Sequence, residues 1–393
     1  MLGHIYMSLL AVALAVIQTR AAEARLQVVE LDGTAYQRGL THGKQLRPEI
    51  QRLVTLWKAD LEQNFGRAAD SFIAAFLKET NFKPTIEKTA PELLDEVRGI
   101  AAGAQVPFDT MYAFQLVDEL WVNGRDISKR LTAEHCTSLG AARAGTNAAW
   151  IAQNVDVESF RNGFQTLLHI RGNVGEPEQY VFTFAGYIGA NGLNGRAIGI
   201  CANAMPQLRH ARAGLPVAFV IRTVLKQTNA TEAARWLQEA QHATSQNYIL
   251  GVGDSVYDFE CSAGKVVRYT PHADGALVYH TNHPLTNDNV DAEFLAQVRR
   301  VDPEGKAMDS TGARFQALES RLKRPEGGLD LSLIAGILRS RDSEQFPICV
   351  PLKSGSSAFT FGSTIMRLAP EPVLHVCAGP PDVNPYVVFR FSR

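Results

Sequence analysis

A change of residue pattern near position 148 limits the folds that this chain of 393 residues can adopt. Before it, apolar residues recur at helical spacing, first from Tyr36 to about Phe65 and again over residues 91–104. After it, short runs rich in β-branched and aromatic residues follow one another, each bounded by Gly, Asn or Pro. Strands in series, with helices in separate blocks, predict an α+β fold built in layers rather than repeating βαβ units.

Individual elements can be predicted on both sides of that change. Pro91 suits the first position of a helix, and Thr231 with Glu232 predicts a helix cap. Leu26–Leu31 has the pattern of a short strand. The other predicted helices cover residues 214–226, 231–241 and 313–322, and the predicted closing strands are GSTIMRLAP, VLHVCAG and YVVFRF.

The N-terminus has the pattern of a secretory leader. An apolar run from Met7 to Ile17 is followed by Ala-Glu-Ala at residues 22–24, which fits cleavage before Arg25. The run is shorter than the ~20 residues that a membrane-spanning helix needs. We therefore expect a signal peptide over residues 1–24 and a periplasmic or secreted protein.

Composition argues against nucleic acid as a partner. The chain has 39 basic and 40 acidic residues, and its formal net charge is −1. These charges are spread evenly, so no basic stripe is available for a phosphate backbone. With 46% hydrophobic residues, the sequence can bury a substantial core.

The chain contains five cysteines, which is an odd number for a protein expected to be exported. At least one cysteine must therefore lie outside any disulfide. Cys201 and Cys377 lie in apolar, strand-like runs and are predicted to be buried as small hydrophobic residues. The pairing of the remaining cysteines cannot be deduced from the sequence.

Polar residues at strand ends cluster in sequence with one of these cysteines. Cys136 lies at the start of a predicted strand, and the hairpin return of the next strand can place Asp156 near its thiol. Further on, a Gly/Asn-rich turn at residues 189–195 precedes a strand that ends at Asn203, and residues 280–283 (His-Thr-Asn-His) end another strand. Polar side chains beside such turns are typical of functional sites, although asparagine also favours turns for conformational reasons.

In this pattern the sequence resembles the acyl-coenzyme A:isopenicillin N acyltransferase family of self-processing N-terminal-nucleophile enzymes, related to penicillin V acylases and bile salt hydrolases. The resemblance covers nearly the whole chain after the leader. The matching segments, in order, are Gly33-x-x-Tyr36-x-Arg38-Gly39-x-x-His42-Gly43, residues 96–104, Cys136-Thr137, residues 153–156, Gly189-x-Asn191-Gly192-Leu193-Asn194, residues 280–283, residues 310–315 and Gly379-Pro380-Pro381.

The resemblance implies a fold and a set of site residues. The fold is the four-layer αββα sandwich of N-terminal-nucleophile hydrolases. Cys136 is the implied nucleophile, and Asp156 and Arg314 are the charged pair beside it. Asn282 and Asn203 are implied to supply amide groups near the reacting carbonyl.

Self-cleavage between His135 and Cys136 is also implied. It would divide the chain after the leader into a small, mainly helical chain of residues 25–135 and a large chain of residues 136–393, which stay associated. The sequence departs from the family pattern in two places. His135 precedes the nucleophile where glycine is common, and Ala313 precedes Arg314 where serine is frequent.

The chemistry suits these residue types. Cleavage gives Cys136 a free α-amino group, whose ordinary pKa of ~7.7–8.0 is close to the ~8.5 of a thiol, so the amine can act as the base. We therefore predict an amidohydrolase or acyltransferase that acts on linear N-acyl amides through a thioester, with water, an amine or an acyl-coenzyme A as the second reactant. No cofactor and no metal are expected.

Two other functions remain open from the sequence. A cysteine–histidine hydrolase without self-cleavage could use His280 or His283, since imidazole is the usual base for a thiol. A catalytically inactive periplasmic binding protein of the same fold is the other alternative. A metal site on the two histidines is disfavoured, because their spacing on a strand puts the rings on opposite faces.

The substrate cannot be identified from the sequence. The apolar residues Phe182, Phe184, Tyr187 and Ile188 could line an acyl pocket, but we favour the interpretation that they form the core of the sheet. Acyl and amine specificity therefore stay open.

Overall fold

The structure is a computed structural model that describes residues 25–122, 136–144, 147–272, 274–302, 304–305, 309–323 and 328–392. The predicted signal peptide and His135 lie outside the described residues. No helix in the described ranges is both long enough and apolar enough to cross a membrane.

Helices dominate the first third of the chain and then alternate in blocks with strands. In the described part of the chain the helices are α1 (Ala35–Gln45), α2 (Arg47–Phe65), α3 (Ala69–Glu79), α4 (Lys83–Thr89), α5 (Pro91–Ala104), α6 (Phe108–Phe114), α7 (Val117–Val122), α8 (Val217–Leu225), α9 (Ala230–Glu239), α10 (Ala292–Val301), α11 (Asp309–Leu322) and α12 (Leu331–Leu338). A short 3₁₀ helix covers Ser159–Arg161.

The strands form two sheets. They are β1 (Gln27–Leu31), β2 (Thr137–Ala141), β3 (Trp150–Glu158), β4 (Gln165–Ile170), β5 (Gln179–Phe184), β6 (Asn191–Asn194), β7 (Ile198–Ala204), β8 (Gln246–Val252), β9 (Ser255–Ser262), β10 (Lys265–Tyr269), β11 (Leu277–His280), β12 (Ala358–Arg367), β13 (Val373–Ala378) and β14 (Val387–Arg390). Among these described strands the first sheet has the order β1-β4-β5-β6-β7-β8-β9-β10, and the second has the order β11-β2-β3-β12-β13-β14. Neighbouring strands are antiparallel, with β1 and β4 as a parallel pair.

The two sheets pack face to face, with helices on their outer faces. Strands β2 and β3 of the second sheet contact β7 and β8 of the first. Helices α8 and α9 pack on the first sheet, and α11 and α12 pack on the second. The predicted α+β class and the four-layer αββα arrangement are therefore confirmed.

Helices α1 and α5 contact each other backbone to backbone through glycines on both helices. A methyl group built on Gly39 would lie 1.9 Å from the Glu96 carbonyl oxygen, and one on Gly99 would lie 2.2 Å from the Tyr36 carbonyl oxygen. One turn further along, methyl groups built on Gly43 and Gly103 would lie 2.4 Å and 2.5 Å from backbone oxygens of the facing helix. Only glycine allows this distance between the two helix axes.

Several predicted elements differ in detail. Residues 191–194, expected in a turn, form the short strand β6, because their backbone pairs with β5 and β7. The predicted cap of α9 was wrong, since Asn229 rather than Thr231 accepts the N–H of Glu232, at 3.1 Å. Helix α12, which the sequence analysis did not identify, buries the apolar side of Leu331–Leu338.

Candidate active site

The β2–β3 hairpin brings Cys136 and Asp156 together, as predicted. Thr137 of β2 faces Asn154 of β3, so Cys136 comes opposite Val155, and Asp156 is the next residue along β3. The Cys136 Sγ is 3.9 Å from the Asp156 backbone oxygen. Cys136 is 7% exposed and Asp156 is 1% exposed, so both lie in a largely desolvated environment.

Arg314 of α11 links the start of this hairpin to the end of β11. Its Nη1 donates to the Cys136 carbonyl oxygen at 2.6 Å and to Thr137 Oγ1 at 2.9 Å. Its Nη2 donates to Asn282 Oδ1 at 3.0 Å. Burial lowers the pKa of Arg314 to about 10, although Asp156 and Cys136 nearby act to raise it. The guanidinium is therefore still cationic at neutral pH, next to the thiol.

The Asp156 carboxyl group is buried, and the described groups that act on it are the Thr360 hydroxyl and the Arg314 guanidinium. Burial raises its pKa to about 7, and Thr360 and Arg314 lower it only in part. Thr360 faces Asp156 across the β3–β12 pair. A carboxyl group near half-ionisation at neutral pH can either hold a cation or exchange a proton, which is typical of functional sites.

Asn282 lies between Arg314 and the end of β7. Its Nδ2 donates to the Ala204 carbonyl oxygen at 3.1 Å, and its backbone N–H donates to Thr311 Oγ1 at 2.8 Å. A side-chain amide has two N–H groups, and the described residues accept from Asn282 at one position. Asn282 therefore has capacity for one more acceptor, which suits the predicted role beside a carbonyl.

Asn203 is placed differently. Its Nδ2 donates to Ser138 Oγ at 2.7 Å and to the His280 carbonyl oxygen at 3.2 Å, and its Oδ1 accepts from Gln153 Nε2 at 3.0 Å. Both amide N–H groups therefore join the facing sheets in this arrangement. Its predicted role at the reacting carbonyl stays a prediction that needs these bonds to rearrange.

A cavity that is partly open to solvent lies against Cys136. Most of its wall is apolar, formed by residues of α7, β3, α8 and β12. Phe184 and Tyr187 line it, whereas Phe182 and Ile188 do not and belong to the core between the layers. The interpretation of these four residues as sheet core is thus correct for all four, but two of them also face the cavity.

The cavity contains polar residues that the sequence analysis did not single out. Gln246 of β8 lines it, and its Nε2 is buried without a hydrogen-bond partner among the described residues. The cavity is also lined by Arg161, Glu158 and Asp118. No local sequence signal marks these residues, because they reach the cavity from separate elements.

The two histidines of residues 280–283 are held by other groups. His280 contacts Glu260 Oε1 through Nε2 at 3.0 Å and the Thr281 carbonyl oxygen through Nδ1 at 2.9 Å. His283 Nδ1 lies 2.9 Å from Thr311 Oγ1. Both ring nitrogens of His280 are thus engaged away from the thiol, which disfavours it as the base for Cys136.

The other cysteines are buried and are not joined by disulfides. Cys201, Cys261, Cys349 and Cys377, which all lie in described segments, have no disulfide partner. Cys201 and Cys377 are each 0% exposed, so their prediction as buried hydrophobic residues is confirmed. No group of three or more His, Cys, Asp or Glu residues suited to a metal ion occurs in the part of the chain that is described.

Comparisons with known proteins give matches at the level of family and shape. A family described as acyl-coenzyme A:6-aminopenicillanic acid acyl-transferase matches residues 143–374. Protein dcd1A of Dictyostelium discoideum is 22% identical over 233 residues, which cover 51% of this chain and 50% of that protein. The match therefore spans about half the length of this curated relative.

Solved structures resemble the chain at low identity. An orthologue of N-acylethanolamine-hydrolyzing acid amidase from Caenorhabditis elegans has a TM-score of 0.39 and 19% identity, covering 59% of this chain and 92% of that one. A variant of conjugated bile acid hydrolase from Clostridium perfringens has a TM-score of 0.38 and 12% identity, covering 65% and 97%. Penicillin V acylase from Agrobacterium tumefaciens has a TM-score of 0.37 and 13% identity, covering 61% and 82%.

Proposed function

Since this chain belongs to the acyl-coenzyme A:6-aminopenicillanic acid acyl-transferase family, we propose that it is a self-processing amidohydrolase or acyltransferase with Cys136 as its N-terminal nucleophile. Its substrates would be linear N-acyl amides, and its intermediate a thioester. The observation that carries the proposal is the position of Cys136, whose residue lines a mostly apolar cavity together with the buried carboxyl group of Asp156.

Self-processing needs one nucleophilic attack and one hydrolysis. The Cys136 Sγ attacks the carbonyl carbon of His135, the C–N bond breaks, and the nitrogen leaves as the α-amino group of Cys136. Water then opens the thioester, which gives a carboxylate at His135 and restores the thiol. The Arg314 contact to the Cys136 carbonyl oxygen, at 2.6 Å, supports a fixed backbone at the residue that attacks.

Turnover would follow the same chemistry with an external amide. The α-amino group takes the thiol proton, Sγ attacks the substrate carbonyl, and the amine leaves with a proton from the same ammonium group. Water, or an amine acceptor in the transferase case, then attacks the thioester. Asn282 would donate to the oxyanion, and loss of one such donor typically costs ~3 kcal/mol of transition-state stabilisation.

Charge at the site supports this assignment. The buried cation of Arg314 favours the thiolate form of a neighbouring cysteine. Asp156, with a pKa raised to about 7 by burial, can become ionised when an ammonium group forms beside it. Asp156 would then hold the new ammonium group and Arg314 in register. We also propose export to the periplasm or the medium, which rests on the leader pattern alone.

The test is the mass of the purified protein together with its activity. Cys136→Ala should remain a single chain without activity, and Cys136→Ser should process slowly because it retains an attacking oxygen. Cys201→Ala serves as the matched control, since that thiol is also buried but lies outside the cavity, and it should be processed and active.

The expected wild-type large fragment begins at Cys136 and has 393 − 135 = 258 residues. Alkylation of Cys136 should abolish turnover. The proposal is falsified if the active protein is a single chain with Cys136 internal, since the α-amino base would then not exist.

A further inference from the structure

The cavity beside Cys136 is apolar along most of its wall, but the guanidinium-bearing side chain of Arg161 also lines it. Arg161 is 5% exposed and lies at the end of β3, in the 3₁₀ helix that follows Glu158. Its Nε donates to Glu158 Oε2 at 2.8 Å. Its two terminal nitrogens have no hydrogen-bond partner among the described residues, although the side chain lines the cavity.

The surroundings hold this guanidinium in one position. Its carbon lies 4.5 Å from the ring centre of Phe184 and 5.2 Å from that of Phe160. Stacking on two rings and pairing through Nε leave little freedom for the side chain, so its unused N–H groups are already oriented. Because the side chain lines the cavity, an oxygen of a bound ligand can accept from these N–H groups.

We propose that Arg161 is a specificity-determining residue that hydrogen-bonds a neutral oxygen acceptor on the acyl group, such as an oxo or amide carbonyl, away from the scissile bond. This inference rests on the proposed function. The acyl part stays attached to Cys136 as a thioester and would occupy the mostly apolar cavity, whereas the amine must leave.

Charge decides between a neutral and an anionic acceptor. Glu158 already pairs with Arg161, and Asp60 is close enough to affect its pKa. Asp118 lies on the same wall and accepts the Tyr187 hydroxyl at 3.1 Å. Because Glu158 already pairs with this cation, a carboxylate on the ligand would add a second negative group beside it. An uncharged oxygen gains the hydrogen bonds without that repulsion.

The spacing of residues along β3 indicates how far the acceptor oxygen lies from the reacting carbonyl of the acyl group. Asp156 neighbours the thiol, and Glu158 lies two residues further along β3, which is about 7 Å of strand. The acceptor oxygen should therefore lie several bonds from the reacting carbonyl. Phe361 and Val155 line the same cavity and provide apolar contacts for the carbons in between.

The test compares N-acyl amides that share one fluorogenic amine and one chain length. One series is saturated, one carries a single oxo group moved stepwise along the chain, and one ends in a carboxylate. For the wild type, kcat/KM for the best oxo chain should exceed that for the saturated chain about tenfold or more. Arg161→Gln should reduce this ratio to about 2 or less, and the ratio is compared within each variant so that a general change in turnover cancels.

Two further variants serve as a conservative substitution and a matched control. Arg161→Lys keeps the charge but loses the planar donor pair, so an intermediate ratio is expected, and it decides the matter if Arg161→Gln does not fold. Arg171→Gln is the matched control, since Arg171 is a surface residue paired with Glu30, and its ratio should equal that of the wild type.

The outcomes separate this inference from the proposed function. If saturated chains form a thioester on Cys136 but the wild type shows no oxo preference, or keeps it in Arg161→Gln, the role of Arg161 is wrong and the enzyme assignment stands. A preference for the carboxylate series that Arg161→Gln removes would overturn the neutral acceptor. If no amide in any series acylates Cys136, the proposed function fails and the inference fails with it.

Discussion

Two buried clusters in this protein combine an acid with arginine, and they differ in how their hydrogen bonds are used. In the first, Glu96 of α5 accepts from both terminal nitrogens of Arg222, at 2.6 and 3.0 Å. In the second, Asp156 lies near Arg314, but the guanidinium bonds that the described residues show go to Cys136, Thr137 and Asn282 instead. Glu96 and Asp156 are 0% and 1% exposed, so burial alone does not distinguish them.

The pKa values follow the bonding. Burial raises the pKa of Glu96, but Arg222 and Arg38 lower it by more, so the net shift is downward. Burial raises the pKa of Asp156 to about 7, and its neighbours compensate only in part. A satisfied charge pair holds the fold together, whereas a buried acid that lines a cavity is available for a reaction partner.

The largest expected effect is on the satisfied cluster. Glu96→Gln should lower the free energy of unfolding by about 3–5 kcal/mol, because it leaves the buried Arg222 without its counter-charge. Denaturant unfolding of the processed protein measures this. Glu92→Gln on the same helix is the control, since Glu92 and Lys226 are a partly exposed pair whose loss should cost ~1 kcal/mol or less. Equal losses in the two variants would contradict the distinction.

The next effect concerns turnover in the Asp156 cluster. Asp156→Asn should leave stability equal or higher but reduce kcat at least about tenfold, because the carboxylate is assigned to positioning charged groups. Asp258→Asn is the matched control, since Asp258 is also buried with a pKa raised to about 7 but does not line the cavity. If a folded, processed Asp156→Asn turned over at the wild-type rate, Asp156 would be removed from the site.

A smaller effect is the dependence of stability on pH. Asp156 has a folded pKa of about 7 against an ordinary value of 3.8, so between them the folded protein holds more protons and rising pH lowers stability. His42, beside the Glu96 cluster, behaves oppositely. Burial lowers its pKa from 6.5 to about 4, so rising pH increases stability over that range.

When either titratable group is removed, the pH dependence of the free energy of unfolding should therefore be set more strongly by the other group. Between pH 4.5 and 6, Asp156→Asn should make stability rise more steeply with pH, by at most about 1.4 kcal/mol per pH unit. His42→Gln, which retains an acceptor for the Gly186 N–H, should make it rise less or fall. Denaturant midpoints across that range measure both slopes. Changes of the same sign in the two variants would refute the opposed assignment.

The smallest expected effect tests the cysteine–histidine alternative. His280→Gln should change turnover of the folded enzyme by less than about threefold, because its ring is engaged by Glu260 and Thr281 rather than by Cys136. A thermal unfolding scan separates structural loss from catalytic loss. Abolished turnover at unchanged stability would replace the α-amino base with a histidine.

Much of the fold could be predicted because it rests on local pattern. Pro91 begins α5, and the β2–β3 pairing follows from two short runs close in sequence. The strand β6 was mistaken for a turn because asparagine and glycine favour turns, and only its partners β5 and β7 make it a strand. The cap at Asn229 was missed because two residues with capping ability stand close together.

The site was predicted less completely, because its bonds join residues far apart in sequence. Family motifs led to Cys136, Asp156 and Arg314, which the structure brings together. A side-chain amide can bind a substrate only if its N–H groups are not already bonded, and the groups that bond them lie far away in sequence. The contacts of Asn203 with Ser138 and the His280 carbonyl oxygen illustrate this. No sequence motif marks the polar residues of the cavity wall, because they lie on separate elements. Arg161 is in the 3₁₀ helix after β3, and Gln246 begins β8.

The glycine contact between α1 and α5 has a consequence for how this protein can be altered by mutation. At Gly39 and Gly99 even one added methyl group would meet backbone oxygen within 2.2 Å, so no neighbouring side chain can move to accommodate it. A deep mutational scan should show these positions as intolerant of alanine, unlike Gly336 of α12, where nothing lies within 4 Å of an added methyl group. A library made to alter substrate choice should therefore leave these helix glycines fixed and vary the cavity wall instead.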